Sequence, residues 1–289
     1  FLVSSLDRLT HYFKISFFAA GVVFMAVSTT IPELFLGIDS ALQGVPSLSL
    51  GTVLGSNIAD LALVFGVVIV IAQRLKPAKI FRPRDASWIV LGSLAPLLLF
   101  WDRCLSQIDG LILLSIFLIY LYFIFLSKQQ LISQFKEINK KKLLIDGLKY
   151  IIGIVILLVA CKYVVEYGVA LALSFQIPLI VIGVSIYALS TSLPELAFET
   201  RAIAKGQKAL ALGDLAGSLI ANSTLVLGIT ALIEPITVIN LDNYLLAGSF
   251  LFLLVVFLFL AIKRGWQLNR LVGVILILGY ITFLIFEVV

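Results

Sequence analysis

Charged and metal-ligating side chains are scarce in this sequence. Only 13% of its 289 residues are charged, whereas 61% are hydrophobic and the mean hydropathy is +1.15. Because His11 is the only histidine, metal or triad chemistry based on imidazole is excluded. Cys104 and Cys161 form no CxxC motif, so neither a thiolate metal site nor a structural disulfide is indicated.

The hydrophobic residues occur in long continuous runs. Such runs predict an all-α, polytopic membrane protein and exclude an outer-membrane barrel, whose strands alternate in polarity. The formal charge of +5 comes from short basic clusters between the runs, which argues against a nucleic-acid partner. Nine spans are predicted, at about 17–38, 47–73, 87–101, 108–127, 144–170, 177–202, 209–233, 241–262 and 269–287.

The basic residues are confined to alternate loops. All of the 21 Lys and Arg residues except Arg103 and Lys162 lie at the N-terminal segment or in four further regions, which are 74–84, 127–149, 201–208 and 263–270. Cytoplasmic loops carry an excess of Lys and Arg, so these regions are predicted to be cytoplasmic. The sequence therefore predicts an integral protein of the plasma (inner) membrane, surrounded by lipid, with a basic cytoplasmic linker at 127–143.

Two halves of the chain repeat one another at a fixed distance. AVSTTIPEL begins at Ala26 and ALSTSLPEL begins at Ala188, 162 residues later. GTVLGSNIAD, ending at Asp60, and GDLAGSLIAN, ending at Asn222, have the same separation. A constant separation across gapped segments indicates an internal duplication, which many secondary transporters use to build their site.

The duplication predicts an inverted five-plus-five arrangement of transmembrane helices. Residues 1–126 form the first repeat and 144–289 the second, on either side of the 127–143 linker. The opening residues match only the tail of the 144–170 span, so we expect the first helix to be largely missing from this sequence. An odd number of helices in each half makes the repeats inverted in the membrane.

The STTIPE segment places a carboxylate and two hydroxyls on one helix face. Thr29 and Thr30 precede Glu33 by four and three residues, and Pro32 cannot donate to the carbonyl of Ser28. We expect a kink that frees main-chain carbonyls. STSLPE repeats the pattern with Thr191, Ser192, Pro194 and Glu195. Carboxylate, hydroxyl and carbonyl oxygens suit Na⁺ and Ca²⁺.

The second repeated segment adds an intramembrane acid. Ser56 and Asp60 lie four residues apart on one predicted helix face, and Ser218 and Asn222 repeat this spacing. An acid at membrane depth is energetically costly and usually marks an ion path. The glycines that precede these residues allow close helix approach.

With these motifs, the chain resembles the sodium/calcium exchanger family, prokaryotic type, within the wider cation/Ca²⁺ antiporters. The resemblance covers nearly the whole chain and rests on the paired TS-PE and GSN-D segments. It implies a secondary active antiporter, not an enzyme, that exchanges Ca²⁺ for Na⁺ by alternating access and needs no cofactor. It also implies that Glu33 and Glu195 are the central Ca²⁺ ligands. The further ligands that it implies are the carbonyls near Ala26 and Ala188 and the side chains of Thr29, Thr30, Ser56, Asp60, Thr191, Ser192, Ser218 and Asn222.

One departure from the family pattern concerns the counter-ion. The acid Asp60 lies in the first half and the amide Asn222 in the second, which reverses the order that is usual in the family's sodium-type members. A Ca²⁺/H⁺ exchanger is therefore an alternative, with H⁺ in place of Na⁺. An intramembrane protease is a weaker alternative, because the GxGD-like segment at Asp214 lacks its first glycine and a Tyr-Asp partner motif. A cation channel is also weaker, because a closed cage of ligands would hold ions too tightly to conduct.

Overall fold

The fold is a bundle of long helices joined by short loops. The computed structural model describes residues 2–13, 15–126, 140–174, 188–237 and 241–288. In the first half the helices are α1 (Leu2–Phe13), α2 (Phe17–Ala20), α3 (Val27–Thr29), α4 (Ile31–Leu42), α5 (Ser47–Ile58), α6 (Phe65–Ala72), α7 (Pro83–Leu99) and α8 (Gln107–Leu126). Later in the chain they are α9 (Lys140–Ser174), α10 (Ala188–Ala204), α11 (Lys208–Ile220), α12 (Leu227–Ile233), α13 (Leu241–Lys263) and α14 (Arg270–Val288).

Three of these helices continue into π-helical segments. The segments are π1 (Gly21–Ala26), π2 (Ala59–Val64) and π3 (Ala221–Val226), each six residues long. π2 and π3 are 162 residues apart, so the duplication preserves this irregularity. Asp60 and Asn222 are each the second residue of a π segment. Such segments disturb the regular hydrogen-bond ladder and occur often at functional sites.

The predicted membrane spans agree with the observed helices. Six described helices are long and apolar enough to cross a membrane, and the bent pair Phe17–Thr29 and Ile31–Leu42 makes a seventh. The bend at this pair is 42°, as Pro32 predicts. Arg270–Phe286 is a shorter apolar helix, and the first part of the predicted span 177–202 lies outside the described residues.

Two short ladders at the ends of the bundle show that the repeats are inverted. β1 (Arg74–Leu75) pairs with β4 (Leu268–Asn269), and β2 (Cys104–Leu105) pairs with β3 (Ile236–Thr237), both antiparallel. β1 and β3 are equivalent, because they are 162 residues apart. The helix α7 runs between β1 and β2 and is about 25 Å long at 1.5 Å per residue. The two ladders, and therefore the equivalent strands, lie at opposite ends.

Close glycine contacts repeat the same symmetry inside the bundle. A Cβ added at Gly66 would lie 2.9 Å from the carbonyl oxygen of Gly273, which brings α6 against α14. A Cβ added at Gly228, the equivalent of Gly66, would lie 3.1 Å from the carbonyl oxygen of Gly110, which brings α12 against α8. Small residues at such crossings let helix backbones approach in the absence of a hydrophobic driving force.

One end of the bundle collects the basic loops. Lys208 Nζ donates to the carbonyl oxygen of Arg74 at 3.4 Å, which joins a second-half hairpin to a first-half loop. Arg8 on α1 forms an ion pair with Asp146 on α9 at 2.7 Å. The hydrogen bond from Arg8 to Asp146 raises the pKa of the guanidinium above its usual value. Gln207 Nε2 donates to Asp7 Oδ1 at 3.1 Å, and β1 pairs with β4. The contacts of Lys208, Gln207 and the β1–β4 ladder define what we call the basic-loop end, formed by residues 4–8, 74–82, 201–208 and 263–270.

Candidate functional site

Two buried glutamates occupy equivalent positions in the two halves. Glu33 lies in the first turn of α4, directly after the bend, and Glu195 lies inside α10. Each residue is 1% exposed. The positive end of the α4 dipole favours a carboxylate at Glu33. Glu33 Oε2 and both carboxylate oxygens of Glu195 have no hydrogen-bond partner among the described residues.

Hydroxyl groups link the two halves around these glutamates. The Ser56 and Thr191 hydroxyl oxygens are 2.6 Å apart, and those of Thr29 and Ser218 are 3.5 Å apart. The two pairs are equivalent, since each residue of one pair is separated by 162 residues from its counterpart in the other. Ser56 also donates to Glu33 Oε1 at 3.2 Å. The structure therefore brings four of the predicted ligands together across the repeat interface.

The remaining hydroxyls and the Ala26 carbonyl lie close to these residues. Thr30 Oγ1 is buried without a partner among the described residues, and Ser192 Oγ donates to the carbonyl oxygen of Ser56 at 3.4 Å. The Ala26 carbonyl oxygen accepts the Thr30 N–H at 3.0 Å. Ala188 is the first residue of α10, and the residues before it lie outside the described part.

An asparagine that sequence reasoning missed holds Asn222 in place. Asn222 Nδ2 donates to Asn57 Oδ1 at 3.3 Å, and Asn57 Nδ2 donates to Ser223 Oγ at 2.7 Å. This bond directs the amide of Asn222, while its Oδ1 has no partner among the described residues. Asp60 is 1% exposed, and both its carboxylate oxygens are without a partner in the same part of the chain. Asn57 is the last residue of the GSN triplet in the repeated motif that ends at Asp60, and this triplet is the sequence feature that could have drawn attention to it.

Two further acids lie completely buried near the site. Glu199 and Asp214 are each 0% exposed, and none of their four carboxylate oxygens has a hydrogen-bond partner among the described residues. Glu199 follows Glu195 by four residues on α10, and Asp214 precedes Ser218 by four on α11. This spacing puts each acid on the same helix face as a predicted ligand and could have revealed both.

The acidic residues do not form a compact metal cluster of their own. Within the described ranges, no group of three or more His, Cys, Asp or Glu side chains is placed to hold one metal ion together. A cation at this site would therefore draw on hydroxyl and carbonyl oxygens as well as carboxylates. Hard cations such as Na⁺ and Ca²⁺ accept this mixture of oxygen ligands.

Comparison with known proteins agrees with this arrangement of inverted helices and buried oxygens. The family described as "Sodium/calcium exchanger protein" matches residues 1–126 and 148–289. The chain belongs to the sodium/calcium exchanger family. Family membership makes it a cation/Ca²⁺ antiporter, as the resemblance of the repeated motifs implies.

Relatives of known sequence are similar along most of their length. The inner membrane protein YrbG of Escherichia coli is 29% identical over 98% of this chain and 90% of its own. The sodium/calcium exchanger MaX1 of Methanosarcina acetivorans is 25% identical over 99% of this chain and 93% of its own. The alignments extend across both halves of this exchanger.

A solved structure of an exchanger has the same fold. The sodium-calcium exchanger NCX_Mj superposes with a TM-score of 0.81 and 26% sequence identity, over 97% of this chain and 91% of that one. The match extends over both inverted repeats, which confirms the predicted all-α fold of an integral membrane protein.

Proposed function

We propose that this exchanger moves Ca²⁺ against Na⁺ by alternating access at the site between Glu33 and Glu195. The observation that carries the proposal is the pair of hydroxyl contacts, Ser56 with Thr191 and Thr29 with Ser218, which join both halves beside unpartnered carboxylate oxygens. A cation bound there touches both repeats at once. Movement of one repeat against the other would then change the side from which the ion is reached.

The chemistry of the ligands supports competition between the two ions. Glu33 and Glu195 supply the negative charge that a dehydrated Ca²⁺ needs. The hydroxyls of Thr30, Ser56, Ser192 and Ser218 supply the neutral oxygens that complete flanking Na⁺ sites. Since one set of buried oxygens serves both ions, occupancy by Na⁺ displaces Ca²⁺, and this competition couples the two fluxes.

Asp60 and Asn222 set the charge of the site. Asp60 supplies the third carboxylate, and Asn222 supplies one amide oxygen whose position Asn57 fixes. Three carboxylates can balance one Ca²⁺ with a proton, or several Na⁺, but not both loads together. Exchange of three Na⁺ for one Ca²⁺ together with a proton would move no net charge. The exchange we propose is electrogenic, because Ca²⁺ moves without the proton and leaves one carboxylate charge unbalanced.

The basic-loop end of the bundle faces the cytoplasm in this proposal. The ladder of β1 with β4 and the bond from Lys208 to the Arg74 carbonyl gather three of the five basic regions at this end. The positive-inside rule assigns such loops to the cytoplasm. The linker 127–143, of which residues 127–139 lie outside the described part, would be on the same side.

A Ca²⁺/H⁺ exchanger is the second candidate function. The observation in its favour is Asp60, which is buried without a partner among the described residues and could carry a proton when no cation is bound. The hydroxyl pairs favour Na⁺, because a proton needs only one acceptor oxygen and makes no use of a cage of neutral ligands.

Reconstituted vesicles distinguish the two candidates directly. The full chain is placed in proteoliposomes, and the uptake of radioactive Ca²⁺ is followed under an outward Na⁺ gradient or a matched pH gradient, with the membrane potential clamped. We expect uptake with the Na⁺ gradient alone. Uptake with only the pH gradient would establish the H⁺-coupled alternative, and uptake with neither would contradict both.

A further inference from the structure

Glu199 and Asp214 form a second buried acidic pair, separate from the two central glutamates. Both residues are fully buried, and their carboxylate oxygens have no hydrogen-bond partner within the described residues. No described Lys or Arg lies within ion-pair distance of either carboxylate, whereas Arg8 does reach Asp146 at the bundle surface. Two uncompensated carboxylates at membrane depth are costly, and such residues normally mark an ion path.

The pair lies one helical turn from the central site toward the basic-loop end. α10 and α11 form a hairpin whose connection, residues 205–207, belongs to that end. Glu199 is four residues closer to the connection than Glu195, and Asp214 is four residues closer than Ser218. Four residues of helix correspond to about 6 Å along the axis.

Asp60 connects this pair to the central site. Electrostatic repulsion acts between Glu199 and Asp214, and between each of them and Asp60. Asp60 also repels Glu33 and Glu195. Asp214 also repels Glu195 directly. The segment π2, which carries Asp60, packs against both α10 and α11, so the five acids lie in one region of the bundle.

Two first-half segments pack tightly against α11 next to Asp214. A Cβ at Gly213 would overlap the carbonyl oxygen of Phe18, and a Cβ at Gly21 would lie 2.7 Å from the backbone nitrogen of Asp214. α2 and π1 are thus in backbone contact with α11 beside the acidic pair.

The acidic pair occurs only in the second half and has no equivalent in the first. A path through the pair would therefore lie on one side of the central site. The first-half residues that correspond to Glu199 and Asp214 are Gly37 and Thr52, and neither is acidic. Gly37 packs against the hydroxyls of Ser49 and Thr230, which bond to one another at 3.1 Å. The first half thus folds without acids at the positions equivalent to Glu199 and Asp214. We infer that the two acids in the second half have a functional role rather than a structural one.

We propose that Glu199 and Asp214 form a second cation site, which a dehydrated Ca²⁺ occupies between the central site and the basic-loop end. The two carboxylates match the charge of one Ca²⁺ and offer four hard oxygen ligands. A Ca²⁺ ion occupies this site transiently on its way to or from the central glutamates. This role depends on the transport proposed above, but the presence of the site can be tested by binding alone.

Equilibrium binding of radioactive Ca²⁺ to the purified full chain, in sodium-free detergent solution at fixed pH, tests the proposal. The central variant is E33Q with E195Q, the pair variant is E199Q with D214N, and the third combines all four changes. The matched control is D39N with E234Q, which neutralises two exposed acids. We expect the central variant to retain one Ca²⁺ per chain that the fourfold variant loses, and the control to bind as the unmodified chain does.

The outcomes separate the second site from the central one. If the central variant binds no Ca²⁺, or if the fourfold variant still binds it, the second site does not exist. If the central variant binds as much Ca²⁺ as the unmodified chain, the assignment of Glu33 and Glu195 fails instead. The increase in melting temperature on addition of Ca²⁺, measured on the same samples, reports folding of each variant and repeats the comparison independently.

Discussion

The hydroxyl oxygens of Ser56 and Thr191 lie 2.6 Å apart and join the two halves of the chain inside the bundle. Ser56 uses the same oxygen to donate to Glu33 Oε1 at 3.2 Å. The serine therefore connects a carboxylate of the first repeat to a hydroxyl of the second. The equivalent contact of Thr29 with Ser218 has a longer distance of 3.5 Å, so the two copies of the arrangement are not identical in this structure.

Replacing Ser56 by Ala should weaken Na⁺ binding more than Ca²⁺ binding. The change removes a neutral oxygen and the hydrogen bond to Glu33, and a bond to a charged group is worth about 1.5–3 kcal/mol. We expect the Na⁺ concentration for half-maximal exchange to rise about tenfold, measured by Na⁺-driven Ca²⁺ uptake in proteoliposomes. Thr52→Ala is the control, because the one hydrogen bond of the Thr52 hydroxyl among the described residues is to the Leu48 carbonyl of its own helix. Equal effects in both variants would contradict this role of Ser56.

Neutralising either central glutamate should stop Ca²⁺ transport. In Glu33→Gln or Glu195→Gln, an amide replaces a buried carboxylate and cannot offset the charge of a dehydrated divalent ion. Loss of one partner from a buried charge pair costs about 3–5 kcal/mol, so Ca²⁺ uptake should fall by at least about 100-fold. Glu234→Gln, at an exposed loop position, is the control and should transport normally. Near-normal uptake by either central variant would exclude that residue as a Ca²⁺ ligand.

The repeated motifs were sufficient to predict the architecture and much of the site. Pro32 predicts the observed bend because a proline in a helix has no N–H to donate. The separation of 162 residues predicts which side chains are equivalent, and the pairing of β1 with β4 and of β2 with β3 confirms the inversion. The start of α7 at Pro83 rather than at residue 87 follows from a local cap, in which the Arg82 N–H donates to Asp85.

Other features depend on contacts that a single sequence does not reveal. The π segments add one residue to a helical turn and leave the apolar pattern of the span unchanged, so hydropathy gives no indication of them. The bond from Asn222 to Asn57 joins non-equivalent positions, since the residue 162 after Asn57 is Leu219. The duplication pattern therefore could not predict it. The duplication pattern gave no indication of Glu199 either, because its first-half equivalent is Gly37, and only its spacing of four residues from Glu195 could have revealed it.

A methyl group at Gly213 should destabilise the arrangement seen here. Its Cβ would overlap the Phe18 carbonyl oxygen, and overpacking of this kind costs about 1–3 kcal/mol. We expect Gly213→Ala to lower the melting temperature in detergent by about 5 °C. Gly51→Ala provides a matched control, because Gly51 is the equivalent glycine and its added Cβ meets no described atom within 4 Å. Equal melting temperatures for the two variants would contradict the prediction.

The order of Asp60 and Asn222 should matter less than their combined charge. A carboxylate supplies one full charge and up to two ligand oxygens, whereas an amide supplies one neutral oxygen. The double exchange Asp60→Asn with Asn222→Asp preserves the total and should retain Na⁺-driven Ca²⁺ uptake within about tenfold, which corresponds to 1.4 kcal/mol. Asp60→Asn alone removes one charge and should reduce the number of monovalent ions, or protons, moved with each Ca²⁺.

Reversal potentials in proteoliposomes measure this coupling ratio directly. The variant Asn222→Asp alone adds a fourth acid and should raise the apparent affinity for cations. Its effect on the charge of the site is the opposite of that of Asp60→Asn. Asn57→Ala is an informative companion, because it removes the bond that directs Asn222 and leaves the charge unchanged. It should weaken binding without altering the coupling ratio. If the double exchange is inactive while Asp60→Asn alone transports normally, then Asp60 is not a transport ligand and its role is structural.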